Sequence, residues 1–348
     1  MVYAKIQAIG TAVPKYSITQ DDVKEFACQL FGQSYKDINR LLTIFDHSHI
    51  HRRYLAMPKV WYQSEHSFAE ANAIYKEVGL DLAERACLAA IREAGIKTDE
   101  IGMILFVSST GIATPTFDAL LIEKLGLKAD TKRVPIWGLG CAGGVAGLAR
   151  AAEFAKMLPG KSVLIVGLEL CSLTFQCNDF SKANLVGTSL FADGAAAVLL
   201  STNGDGPEIR NSSSHLFPKS EDIMGWDLVE TGLKVRFSKS IPQLIMKSLP
   251  QVVSDSCRSW YIEPDKIAYY IVHPGGAKVI QAYKESLELN DDILQYAVQT
   301  LYNYGNMSSV SVLFELKAFM HHSVKKGKYG LMLALGPGFS AEQVLFLW

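Results

Sequence analysis

The chain has 348 residues, 49% of them hydrophobic, with 34 Lys and Arg against 35 Asp and Glu. That length and apolar content suit two domains or one large duplicated fold and exclude a disordered tail. A formal charge of −1 without a long basic patch leaves no electrostatic footprint for nucleic acid and favours a small neutral or anionic substrate.

The opening stretch "MVYAKIQAIGTAVP" is interrupted by Gly10 and Pro14 before an apolar signal core forms, so secretion is not expected. The apolar runs near residues 101–116 and 134–149 are cut by Gly, Pro, Ser and Thr, which argues against a membrane span. Six cysteines, at 28, 87, 141, 171, 177 and 257, lack CxxC spacing and read as reduced thiols of a cytoplasmic protein. In "DHSHIHRR" a strand would bring His47, His49 and His51 to one face, yet no carboxylate or cysteine completes a ligand set and no metal is expected. The sequons at Asn211 and Asn306 are read as chance matches.

Further along, "GLDLAERACLAAIREAGI" puts Leu82, Ala86, Ala89, Ala90 and Ala94 near one face of a helix, and "IGMILFVSST" reads as a buried strand. The alternation recurs: "VPIWGLG" is strand-like, Ala142 to Lys156 is helical, and "KSVLIVGLEL" is a second buried strand. A strand pair is expected near "GTSLFADGAAAVLLS", and the composition shift at residues 201–214 marks a boundary between halves, 1–205 and 206–348. Beyond it come a strand and turn ("KIAYYIVHPGG"), two helices ("AKVIQAYKESLEL" and "SSVSVLFELKAFMHH") and two closing strands around "LGPGFS". The pattern is α/β with crossover helices and a plausible internal duplication.

Three positions carry chemistry. Cys141 sits in a collar of Gly138, Gly140, Ala142, Gly143 and Gly144 at a strand-to-helix turn. There unpaired amides and the helix dipole favour a thiolate, and small neighbours let a carbonyl approach. His273 ends a buried strand before Pro-Gly-Gly, and Asn306 follows Gly305 just before a helix. Singly each has a plainer reading: a packing cysteine, a satisfied core histidine, a turn or N-cap asparagine. Together they supply a nucleophile, a proton-bearing partner and an amide donor for a carbonyl oxygen.

The ordered set "IQAIGTAVP", "GLGCAGG", "LVGTSLFADGAAAVLL", "HPGG", "GNMSS" and "LGPGFS" resembles the chalcone synthase family, the type III polyketide synthases of the thiolase superfamily, and is most similar to bacterial alkylpyrone-forming members. The resemblance implies a thiolase-like fold, duplicated α/β halves packed as αβαβα layers, and a homodimer with Thr114 near the partner's cavity. It implies Cys141 as nucleophile, His273 and Asn306 as its partners, and Phe191 as the active-site phenylalanine. Substrate contacts are assigned to Thr174, Ser308, Arg40 and the Gly336, Pro337, Gly338 turn. No cofactor is expected beyond the substrates, a fatty acyl-CoA starter and malonyl-CoA. The sequence departs from the plant pattern at Ala142, directly after the nucleophile, and at Thr43 and His47, where coenzyme A-binding basic residues are usual, which leaves Arg52 and Arg53 as substitutes. The competing readings are a single-condensation β-ketoacyl-carrier-protein synthase III and a non-catalytic acyl-binding subunit.

Overall fold

The computed structural model describes residues 2–32, 34–321 and 324–348. In chain order the elements of the first half are β1 (Ala4–Ala12), β2 (Tyr16–Thr19), α1 (Gln20–Phe31), α2 (Ile38–Asp46), β3 (Arg52–Leu55), α3 (Phe68–Ala94), β4 (Ile101–Ser108), α4 (Phe117–Lys124), β5 (Lys132–Trp137), α5 (Gly143–Met157), β6 (Ser162–Leu170), α6 (Lys182–Leu190) and β7 (Asp193–Ser201). There follow β8 (Glu208–Leu216), β9 (Met224–Val229), β10 (Gly232–Phe237), α7 (Ile241–Ser259), β11 (Ile267–Val272), α8 (Ala277–Ser286), α9 (Gln295–Tyr304), α10 (Ser311–Met320), β12 (Tyr329–Gly336) and β13 (Ser340–Leu347).

Nine strands make one sheet in the order β11-β12-β13-β8-β1-β7-β6-β4-β5. Its two ends repeat each other. On one side β4 runs parallel to β6, β6 antiparallel to β7, and β7 antiparallel to β1. On the other β11 runs parallel to β12, β12 antiparallel to β13, and β13 antiparallel to β8. The duplication suspected in the sequence is thus visible as a repeated pairing scheme, joined where Ala4 meets Ile209 and Lys5 meets Glu208.

The equivalent crossover helices, α5 and α10, form the middle layer. In α5, Gly143 through Ala149 are all buried, as are Ser311 through Leu316 in α10; helices without a polar face belong in a core. Helix α5 touches β4 and β6 of one half, β12 and β13 of the other, and α10. One apolar cluster fills this middle, a second joins the sheet to α3, and a third joins it to α7 and α8. Five layers result.

Several boundaries differ from those expected. The segment before "FADG" is helix α6 rather than a strand, because Ser181 caps it by accepting from the Asn184 amide. The polar stretch at 201–214 contains most of β8, paired on both sides inside the sheet. Helix α3 begins at Phe68, where Ser67 and Glu70 form a reciprocal capping box. The last helix opens with a 3-10 turn, Ser308–Val310, and ends at Met320; His322 lies outside the described residues.

The layers meet most closely where α5 starts. A Cβ added to Gly144 would stand 2.1 Å from the Ser309 carbonyl oxygen, so only glycine lets the two halves close there. Overpacking a rigid contact costs about 1–3 kcal/mol. Gly144→Ala should therefore lower the unfolding free energy by about 3 kcal/mol in denaturant titration, and a loss below about 0.5 kcal/mol would show that the approach is not tight.

Candidate active site

Cys141 lies in the 3-10 turn Gly140–Ala142 between β5 and α5. The chain reverses through Gly138 (φ 94°) and Gly140 (φ 47°), left-handed conformations that favour glycine. The "LGPG" corner buttresses this elbow from behind: Cβ atoms added at Gly336 and Gly140 would come within 2.5 Å of the Leu139 carbonyl oxygen and 2.7 Å of Pro337 Cδ.

His273 follows the last residue of β11 and donates its amide to the Leu333 carbonyl of β12 at 2.9 Å. The strand therefore fixes the backbone while both buried ring nitrogens have no partner among the described residues. Asn306 is pinned by an isolated bridge to Phe191, with its amide donating to Leu190 and its carbonyl accepting from Ala192, each at 2.9 Å. Its Oδ1 accepts from the Ser308 amide at 2.8 Å, and its Nδ2 donates to the Gly275 carbonyl at 2.9 Å. One Nδ2 hydrogen is committed to the His273 turn, and the second is left for another acceptor.

Cys141, His273 and Asn306, expected from the sequence to act together, all line one cavity of about 580 Å³, within the range of small-molecule sites. Burial pushes the Cys141 thiol up to about 12, partly offset by a hydrogen bond with the Ser308 hydroxyl. Burial also pushes His273 down to about 3. Desolvation thus favours thiol and neutral imidazole, whereas the sequence suggested a resting thiolate and imidazolium.

The other sequence-based assignments separate. Ser308 stands beside the sulfur. Phe191 and Thr174 line a different, smaller chamber of about 60 Å³; the two spaces lie on opposite faces of α6, with Val186 and Leu190 facing the large one and Gly187 and Thr188 the small one. Phe191 meets the large cavity's wall through its backbone bridge to Asn306 and through Phe237, its ring neighbour at 5.6 Å. Leu335 and Phe339, flanking Gly336, Pro337 and Gly338, line the large cavity, while the three turn residues stay behind the elbow. Arg40 and Thr114 are exposed and outside the cavity lining. Arg53 is no docking cation: it is 2% exposed and donates to the Thr188 and Phe191 carbonyls and to Gln20. The three histidines do not share a strand face, because His47 caps α2 and bonds Thr43, and His51 stacks on Tyr302 before β3 begins.

Two features escaped the sequence reading. Glu169, in the apolar strand "SVLIVGLEL", is fully buried and accepts from the Ser109 amide and hydroxyl, Thr110 and Ser309 at 2.7–3.1 Å. Burial raises its carboxyl to about 7; a lone acid in an apolar strand was the available signal. Lys182, Lys239 and Lys278 line the cavity with exposed side chains, beside Thr43 and His47. They come from the starts of α6, α7 and α8, where helix dipoles add positive potential.

The chalcone and stilbene synthase N-terminal domain family matches residues 2–204, and the corresponding C-terminal domain family matches residues 208–347. A chalcone-synthase-type protein of Bacillus subtilis (strain 168) is 44% identical, with 99% of each chain covered. The 1,3,6,8-tetrahydroxynaphthalene synthase of Streptomyces peucetius subsp. caesius is 37% identical over 99% of this chain and 93% of its own. The crystal structure of 1,3,6,8-tetrahydroxynaphthalene synthase from Streptomyces coelicolor A3(2), a bacterial type III polyketide synthase, superposes with a TM-score of 0.94 at 28% identity, covering 99% of both chains. A cysteine, a histidine and an asparagine facing one cavity, in a duplicated α/β fold that these families match end to end, place the chain in the chalcone and stilbene synthase family as a type III polyketide synthase.

Proposed function

We propose that the protein condenses a fatty acyl-CoA starter with malonyl-CoA and releases alkylpyrones or related polyketides. The carrying observation is that Cys141, His273 and Asn306 share one cavity. Cys141 passes its proton to His273 and its sulfur attacks the starter carbonyl; the carbon–sulfur bond to coenzyme A breaks, and the coenzyme A thiolate takes the proton from His273 and leaves as the thiol, leaving an acyl-cysteine. Malonyl-CoA then loses carbon dioxide, and the electron pair moves onto the thioester oxygen as an enolate. The His273 ring N–H and the free Asn306 Nδ2 hydrogen are donors for that oxygen. The enolate carbon attacks the acyl-cysteine, the Cys141 thiolate leaves, and the β-ketoacyl chain is carried on coenzyme A. After further rounds, attack of an enol oxygen on the thioester closes a pyrone and expels the coenzyme A thiol.

Support for an alkyl starter comes from the cavity's aliphatic lining, including Ile44, Val186, Leu190, Ile241, Ile245 and Leu335. The chamber beside Phe191 adds mainly apolar space on the other face of α6. Lys182, Lys239 and Lys278 suit the phosphates of coenzyme A in place of the basic residues missing at positions 43 and 47. A cytoplasmic homodimer fits the half-exposed Ile112 and Trp137, the latter bonded to the Gly111 carbonyl in the loop that carries Thr114. Among the described residues no helix is long and apolar enough to cross a membrane.

Product analysis tests the reading. Fatty acyl-CoA with malonyl-CoA should give triketide or tetraketide pyrones, with kcat/KM rising along the alkyl series and exceeding that for coumaroyl-CoA. Tetrahydroxynaphthalene from malonyl-CoA alone would instead favour the activity named for the Streptomyces relatives, and a single β-keto product a synthase III reaction. Cys141→Ala should abolish condensation, and intact-mass measurement should find the acyl adduct on Cys141.

Proton transfer generates the next expectation. With burial holding the thiol near 12 and the imidazole near 3, each group alone is neutral at pH 7, and thiolate forms only if the two charge together as a pair. His273→Gln should slow iodoacetamide alkylation of Cys141 at least tenfold at pH 7, and the variant's rate should keep climbing to pH 10 because ionisation then follows the raised thiol. A pH-independent rate equal to wild type would separate the two groups. Asn306→Ala should still self-acylate but decarboxylate malonyl-CoA poorly.

The rim lysines make a third case. Replacing Lys182, Lys239 and Lys278 by alanine together should raise KM for malonyl-CoA about tenfold, with a smaller change in kcat. The wild-type advantage should shrink at high salt as screening shortens the reach of the charges. Equal KM values would remove these residues from coenzyme A docking.

A further inference from the structure

Tyr283 of α8 carries a buried hydroxyl on the large cavity's wall that the proposed chemistry does not use, and it differs from the buried Ser48 and Ser189 hydroxyls of the same wall, which donate to the Phe45 and Val186 carbonyls. Its side chain is fully buried, it lines the same space as Cys141, His273 and Asn306, and its hydroxyl has no partner among the described residues. The ring belongs to the apolar cluster of Ile241, Ile245, Leu335 and Phe339, with Val279 packed against it. The phenol thus has an apolar surround.

A buried hydroxyl without a partner is unfavourable by about as much as a hydrogen bond contributes, so the group calls for a ligand oxygen. A saturated alkyl chain in this lobe would leave it unsatisfied. A β-keto chain, with a carbonyl on every second carbon, would not. Burial raises the phenol above its ordinary range, with Cys141 and Glu315 adding to the effect, so near neutral pH the group stays protonated and donates. In Glu315 one carboxyl oxygen accepts from the Val272 amide, next to His273, and the other has no partner among the described residues.

Resting on the polyketide reading above, we propose that Tyr283 is a specificity-determining residue that donates a hydrogen bond to a keto oxygen of the growing chain. It holds the β-ketoacyl intermediate in the lobe between α7, α8 and β12. It neither takes nor gives a proton in the reaction; it selects the oxygenated chain over the saturated one.

The test removes the enzyme hydroxyl and the substrate oxygen separately. Binding of a β-ketoacyl-CoA and of the saturated acyl-CoA of equal length is measured by calorimetry on Cys141→Ala protein, with and without Tyr283→Phe. The preference for the β-ketoacyl compound should fall about tenfold in the Tyr283→Phe protein. Tm should not fall, because the change deletes a hydroxyl that no protein group satisfies, whereas a hydroxyl of structural use would lower it. An unchanged preference, equal weakening of both compounds, or no binding of either would overturn the assignment. Condensation by the wild-type enzyme is read separately, so loss of the polyketide reading would be seen there and not in the binding ratio.

Discussion

The contact between the start of α5 and the turn Ser308–Val310 is the constraint on which the site depends. One end of each middle-layer helix carries a turn that lines the cavity: Cys141 precedes α5, and Asn306 precedes the turn into α10. Bringing both turns to one cavity requires that the helices cross without side chains between them, which Gly144 against the Ser309 carbonyl achieves. Glu169 locks the same junction, since its carboxyl joins Ser109 and Thr110 after β4 to Ser309 of the opposite half. Duplication thus does mechanical work here. Two copies of a crossover helix, packed end to side, place residues 165 positions apart in sequence on one wall.

The same burial that creates the precision opposes the charge chemistry. A dry cavity destabilises a thiolate and an imidazolium separately, which is why the Cys141 thiol rises and His273 falls. Charge in such a site is tolerable only as a pair or when a substrate brings the compensating group. The unpartnered His273 nitrogens and the spare Asn306 hydrogen are consistent with donors held ready for an oxyanion that forms only during reaction, where preorganisation counts most.

How much of this was legible in the sequence follows from the range of each cause. The glycine collar around Cys141 is a local signal, because a sharp turn and a close approach both demand missing side chains at consecutive positions. His273 and Asn306 were legible as element ends. Glu169 was not, although its strand was: its partners lie 60 and 140 residues away, and no local pattern predicts which buried acid will find them. The rim lysines were equally hidden, since single exposed lysines on three helices look like ordinary solvated surface. The polar composition of 201–214 hid a strand, because β8 carries "NSSS" where it pairs with β13 alone and backbone pairing, not side-chain hydrophobicity, decides. Arg53 misled in the opposite sense. A basic residue near the expected docking segment turned out to be an internal brace for α6, its guanidinium pushed down to about 9 by burial.

Polarity changes sign of purpose across the cavity. The rim offers mobile ammonium groups in water, where attraction is long-ranged but individually weak. The middle offers donors fixed by backbone: His273 by β11, Asn306 by its bridge to Phe191. The far wall is mainly apolar and includes the Tyr283 phenol. The substrate proposed for this site, anionic at one end, with a reactive carbonyl at its centre and hydrocarbon beyond it, matches the three zones in order. An acyl thioester of coenzyme A has that order of parts, and its orientation follows from solvation alone: the phosphates would lose most by entering the cavity, and the acyl chain most by staying outside it.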